Sequence, residues 1–117
     1  IFNGKFVNYH SNGQIEFEIN VLEGKKHGKI TYFHDNGQMR ETGDFVNGEK
    51  TGTWTRWDNT KNKVSIAHYT NGKKHGEWKI WDENHKVRFV MEYNNGQRTG
   101  TWKVFDAKGK LTDKKEY

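Results

Sequence analysis

Not one cysteine or proline occurs among the 117 residues of this chain. The first absence removes disulfides, thiolate metal ligands and a thiol nucleophile, and leaves the redox compartment unreadable from cysteine usage. The second leaves strands uninterrupted. Aliphatic residues are scarce too: Val, Ile, Leu and Phe together make up under a fifth of the chain, and the mean hydropathy is −1.18. Such a composition usually accompanies disorder. No stretch follows a helical period, and no apolar run approaches the length of a membrane-spanning helix. Serine appears only at Ser11 and Ser65, neither in a nucleophile-elbow context, and no phosphate-cradling glycine motif is present. No catalytic residue and no cofactor is therefore expected.

What the chain does have is a strict period. Gly4, Gly28, Gly52, Gly76 and Gly100 stand 24 residues apart without insertion or deletion. Two places after each comes Phe6, Ile30, Trp54, Trp78 or Trp102, and three further on Tyr9, Phe33, Trp57, Trp81 or Phe105. A later column reads Val21, Phe45, Tyr69, Tyr93 and Tyr117. Residues 1–117 form one repeat domain, with units 4–27, 28–51, 52–75 and 76–99 and a truncated fifth, 100–117, acting as a cap. Aromatic content of 15% supplies the buried area that aliphatic residues do not.

Each unit reads as a β-hairpin, and the fold class is all-β: an elongated single sheet of antiparallel hairpins. Runs such as Thr53-Trp54-Thr55-Arg56-Trp57 lead into turns such as His34-Asp35-Asn36-Gly37, and the second strand alternates, as in Ile15, Phe17, Ile19 and Val21. Asn12-Gly13 and Asn36-Gly37 predict type I′ turns. Thr60-Lys61, Asn84-His85 and Lys108-Gly109 predict less well specified ones. Segments such as 71–76 read as six-residue polar connections between units. At about 4.8 Å per strand, equivalent residues of neighbouring units lie about 10 Å apart and the five hairpins span about 50 Å.

The residues Phe45-Val46-Asn47-Gly48-Glu49-Lys50-Thr51-Gly52-Thr53-Trp54, Tyr69-Thr70-Asn71-Gly72-Lys73-Lys74-His75-Gly76-Glu77-Trp78 and Tyr93-Asn94-Asn95-Gly96-Gln97-Arg98-Thr99-Gly100-Thr101-Trp102 resemble the MORN repeat. Tryptophan stands where the usual MORN unit has a further glycine, which resembles the bacterial variant of the repeat, the YwqK-type proteins regarded as antitoxin components. That resemblance implies a binding or spacing module without enzymatic activity. Its partner would be another protein, a toxin or effector encoded nearby, which it occludes. It also implies two alternatives: a peripheral adaptor for an anionic membrane surface, and a passive spacer in a larger surface protein.

Among the residues themselves, His10 with His34 and His27 with His75 share columns, but at about 10 Å per unit they are too far apart to ligate one metal, and no metal site is expected. Asp58, Asp82 and Asp106 recur with the period, as turn-flanking residues do. A formal charge of +5 suits an anionic partner. Lys25, Lys26, Lys50, Lys73, Lys74 and Arg98 fall in the connections between units, where they are expected to line one edge of the sheet as candidate anion-binding residues, interrupted by Glu23 and Glu49. The bland reading of that edge is protection against strand pairing. Nucleic acid is disfavoured as a partner, because the rungs do not match duplex phosphate spacing.

In a regular strand the two aromatic columns point to opposite faces. Trp54, Trp78 and Trp102, with Tyr32, Ile80 and Val104, are expected inside. Tyr9, Phe33, Trp57, Trp81 and Phe105 then form a partly exposed stripe, the candidate protein-binding surface, unless a bulge turns them inward. The last strand, ending Asp113-Lys114-Lys115-Glu116-Tyr117, reads as a polar cap. The chain opens at Ile1 without an initiator methionine, so an upstream segment removed by processing or truncation is expected, a signal peptide among the options. The expected compartment is cytoplasmic, or external after loss of such a signal.

Overall fold

Left-handed residues divide the turns into two kinds. In the computed structural model, which describes residues 3–117, four consecutive pairs have positive φ: Glu23 and Gly24, Asn47 and Gly48, Asn71 and Gly72, Asn95 and Gly96. Positive φ at both central residues defines the type I′ turn, which Asn-Gly favours. These are the links between units. The other five turns have one left-handed residue each, Gly13, Gly37, Lys61, His85 and Gly109. In the first, the Gly13 N–H donates to the His10 carbonyl (3.0 Å) and the His10 N–H to the Gln14 carbonyl (2.7 Å), and the same pair of bonds recurs in all five. This is a three-residue loop ending in a left-handed bulge residue.

Two expectations are corrected by this. The type I′ turns lie between units, not at Asn12-Gly13 and Asn36-Gly37. The connection from Asn71 to Gly76 is a turn at two residues only, because Lys73 and Lys74 already belong to a strand. Nor are the turns without Asn-Gly less well formed. The Asp58 carboxylate accepts hydrogen bonds from the Thr60 and Asn62 N–H groups (2.9 and 3.0 Å), and Asp82 and Asp106 do the same for their own loops. In the first two units, Asn12 and Asn36 accept from the Gln14 and Gln38 N–H groups instead (3.0 Å each).

Among the described residues twelve strands result: β1 (Gly4–Tyr9), β2 (Ile15–Leu22), β3 (Lys25–Phe33), β4 (Met39–Val46), β5 (Glu49–Trp57), β6 (Lys63–Thr70), β7 (Lys73–Lys74), β8 (Gly76–Trp81), β9 (Val87–Asn94), β10 (Gln97–Arg98), β11 (Thr101–Phe105) and β12 (Leu111–Glu116). They form one antiparallel sheet in the order β1-β2-β3-β4-β5-β6-β8-β9-β11-β12, with β7 also on β6 and β10 also on β9. The sheet measures 49 × 33 × 15 Å, so it is a single layer.

The periodic glycine has a physical reason. Between hairpins the register slips: Glu18 faces Thr31 while Asn20 faces His27, which leaves Gly28, Lys29 and Ile30 opposite Ile19. The same slip places Gly52 to Trp54 opposite Gly43. A bulge of this kind takes a left-handed residue, and Gly28 and Gly52 have φ of 82° and 70°. A second slip sits inside every hairpin, just before the second aromatic column. Asn8 faces Phe17 but Tyr9 faces Ile15, and the step recurs at Phe33 with Met39, Trp57 with Lys63, Trp81 with Val87 and Phe105 with Leu111.

Directly opposed residues share a face. One face carries Ile19, Ile30, Phe45, Trp54 and Ala67, the buried cluster, with Phe17, Tyr32, Tyr69 and Trp78 packed against it. From Phe45 onward the rings form an unbroken ladder, Phe45, Trp54, Tyr69, Trp78, Tyr93, Trp102 and Tyr117, with centroids 5.1 to 6.3 Å apart. Each such pair contributes roughly 0.5–1.5 kcal/mol beyond area burial. The indole N–H groups are satisfied internally: Trp54 donates to the Thr51 carbonyl, Trp78 to His68 and Trp102 to Glu92.

Candidate functional site

The face opposite the ladder carries the second aromatic column. Tyr9, Phe33, Trp57, Trp81 and Phe105 alternate with their cross-strand partners Ile15, Met39, Lys63, Val87 and Leu111 in one row along the turn side of the sheet. The row is open. Tyr9 is 59% exposed and Met39 47%, while Phe33, Trp57, Trp81 and Phe105 are half-buried. The slip inside each hairpin does not turn these rings inward; it brings Ile15, Met39, Val87 and Leu111 beside them. As binding residues those four were not singled out from the sequence, because a regular register pairs each aromatic with the next residue along. The alternation that put Ile15 on one face with Phe17, Ile19 and Val21 is corrected here: the slip at Glu16 carries Ile15 to the other face. Between rungs lie shallow depressions, one lined by Gly13, Gln14, Ile15, Phe33 and Gly37, the next by Gly37, Gln38, Met39, Trp57 and Lys61.

Imidazoles brace this turn edge. The His10 Nε2 pairs with the Phe33 carbonyl (2.7 Å) and the His34 Nε2 with the Trp57 carbonyl (2.9 Å). Arg88 fills that role later in the chain, its Nε donating to the Phe105 carbonyl (2.7 Å). Asn12 and Asn36 reach to the same neighbouring turns, donating to the Asp35 and Asn59 carbonyls. The two histidines thus lock adjacent hairpins together. The His75 Nδ1 accepts the Asn95 N–H (3.2 Å). Among the described residues no three His, Cys, Asp or Glu side chains gather as metal ligands would.

The candidate basic residues divide between the two faces. Lys26, Lys50, Lys74 and Arg98 lie on the ladder, with Lys50 4.6 Å from the centre of the Trp54 ring and 5.1 Å from Tyr69, and Lys74 4.9 and 5.0 Å from Trp78 and Tyr93. Arg98 repeats the arrangement over Trp102 and Tyr117, and Lys26 lies over Phe45. Lys25 and Lys73 alternate to the other face, beside the following turns at Gly48 and Gly96. Their period suggested an edge from sequence alone; the strand register places the four ladder cations over rings instead.

Two tyrosines and two aspartates have displaced acidities. Burial, then the Glu41 charge, pushes the Tyr32 and Tyr69 phenols up. The hydrogen bond from the Thr60 hydroxyl to Asp58 (2.7 Å), followed by the Asn62 N–H, holds that carboxyl below the ordinary aspartate range. The Lys86 N–H does so for Asp82, partly offset by desolvation and helped by the Asn84 N–H and Arg88. All four shifts follow from structural hydrogen bonds and packing, and none places a group near neutrality as a general acid or base.

No curated protein matches the chain. The family model described as MORN repeat variant matches residues 2–22, 26–47, 74–95 and 98–117, most of the length, while the segment between 47 and 74 that holds the third unit is not matched. A sheet of hairpins with glycine at the bulges between units and a tryptophan-tyrosine ladder is how this chain realises that repeat, and the chain belongs to the MORN repeat variant family.

Proposed function

We propose that this protein is a non-enzymatic binding module whose partner is another protein, seated along the row from Tyr9 to Leu111. The observation that carries the reading is that this mainly apolar row runs the length of a one-layer sheet, with no second layer over it among the described residues. The row and the neighbouring one of Thr31, Thr42, Thr55 and Ile66 are about 7 Å apart. Together they cover on the order of 700 Å², near the ~800 Å² per partner of a standard interface. Half-buried Trp57 and Trp81 are the anchors, since large aromatics fixed by their neighbours lose little entropy on binding. Bulges and turn-to-turn hydrogen bonds hold the surface in shape before contact. Such a surface acts by occlusion, and a toxin or effector is the partner class that suits it.

The test is affinity capture from the source cell at high salt, with the unmodified protein and with a variant carrying Trp57→Ser and Trp81→Ser. A protein retained by the first and lost by the second, with the circular dichroism unchanged, supports the reading. Retention by both, or by neither, contradicts it, and the second result leaves a passive spacer.

A further inference from the structure

The ladder face has a charge pattern that the stripe does not use. Its register places Lys26, Lys50, Arg56, Lys74, Arg98 and Lys115 on that face, with Arg40 over the Tyr32 ring, against the carboxylates Glu16, Glu41 and Asp113. The opposite face mixes signs and pairs them, Lys5 with Glu18 (3.0 Å) and Lys79 with Glu77 (3.4 Å). Among the described residues, no carboxylate lies within ion-pair distance of Lys26, Lys50, Lys74 or Arg98. Positive charge thus outweighs negative on this face, and four of its cations are held over rings with no carboxylate at ion-pair distance.

The spacing is equally regular. One cation per hairpin puts the four about 10 Å apart in a line across the strands. A strand of duplex DNA carries a charge every ~3.4 Å, and a β-strand presents one face every ~7 Å. A polyproline II segment presents the same face every third residue, at about 9.3 Å. Aromatic-lined tracks of this kind are also what such segments dock on, with little ordering cost. The ladder offers rings, cations and phenol groups, and the indole N–H groups are already engaged.

We infer that the ladder face binds an extended acidic segment of a partner protein, with Glu or Asp at every third residue, its carboxylates meeting Lys26, Lys50, Lys74 and Arg98 in turn. This site lies on the other side of the sheet from the stripe and stands or falls separately from it.

The test uses two synthetic peptides of equal composition: four repeats of Glu-Pro-Pro, and a control with the four glutamates together flanked by prolines. Binding is followed by tryptophan fluorescence and calorimetry at low and moderate salt. The spaced peptide is expected to bind about tenfold more tightly than the clustered one, and to weaken with salt. Lys50→Gln and Lys74→Gln are each expected to weaken it roughly threefold. Lys79→Gln and Lys103→Gln, which remove the same charge from the other face, leave it unchanged. Thermal melting of every variant separates loss of the site from loss of the fold, and Lys74→Arg, which retains charge and stacking, restores binding. Equal affinity for the two peptides, no binding of either, or stronger binding to vesicles containing phosphatidylserine that the spaced peptide does not displace would each overturn the inference.

Discussion

Trp54 lies flat against Gly43: a Cβ at position 43 would fall inside the indole ring. Trp54 is only 2% exposed, and the Phe45 ring meets it edge-on at 5.1 Å. The close approach is available because residue 43 has no side chain, so the most buried tryptophan depends on a glycine that is not part of the 24-residue column.

Gly43→Ala is therefore expected to destabilise the protein by about 1–3 kcal/mol through overpacking. In a Trp54→Leu background the same Gly43→Ala change is expected to cost less, since the added methyl then has room. Urea unfolding of the protein, the two single variants and the double variant checks it. A neutral Gly43→Ala would contradict the packing.

The two tryptophan columns separate by stability. Trp54→Ala is expected to cost about 3–5 kcal/mol. Trp57→Ala, half-buried on the open row, is expected to cost less than half as much. The midpoint of denaturation of each variant is the readout.

Much of this was legible in the sequence. The period, the hairpins, the single sheet and the opposed columns follow from glycine and aromatic spacing, and the 49 Å length agrees with the strand ruler. What the sequence hid were the two register slips. Asn-Gly occurs at both kinds of turn, so the motif does not say which is the two-residue one. Lys74 reads as loop until the turn shrinks to Asn71-Gly72 and the strand begins at Lys73. Similarly, nothing local in Ile15 or Met39 shows that an extra residue, Glu16 or Arg40, shifts them opposite Tyr9 and Phe33. Bulges depend on both strands at once, and only the folded register displays them.

Left-handed residues other than glycine and asparagine mark sites for improvement. Lys61 and His85 have φ of 70° and 63° where Gly13, Gly37 and Gly109 serve in other units, and Glu23 stands where Asn47, Asn71 and Asn95 do. Lys61→Gly, His85→Gly and Glu23→Asn are each expected to stabilise by about 0.5–1 kcal/mol, by relieving left-handed strain. Calorimetric melting measures the gain, and a loss at all three would contradict the turn assignment.

Acid should weaken the later turns first. The Asp58 and Asp82 carboxyls are held below their unfolded acidity, so their contribution is full above the unfolded value of about 3.9 and is lost as pH falls through the lower folded values. Asp58→Asn is expected to flatten the fall in melting temperature between about pH 4 and pH 2. An unchanged slope would show that the carboxylate does not hold its loop.

Oxidative footprinting of the protein alone and bound to its captured partner locates the partner's seat residue by residue. Met39, Trp57 and Trp81 are expected to be oxidised readily in the free protein and protected in the complex, while Trp54 stays unreactive in both. Protection confined to Trp78 and Trp102, or no protection at Met39, Trp57 and Trp81, would place the partner elsewhere and contradict that expectation.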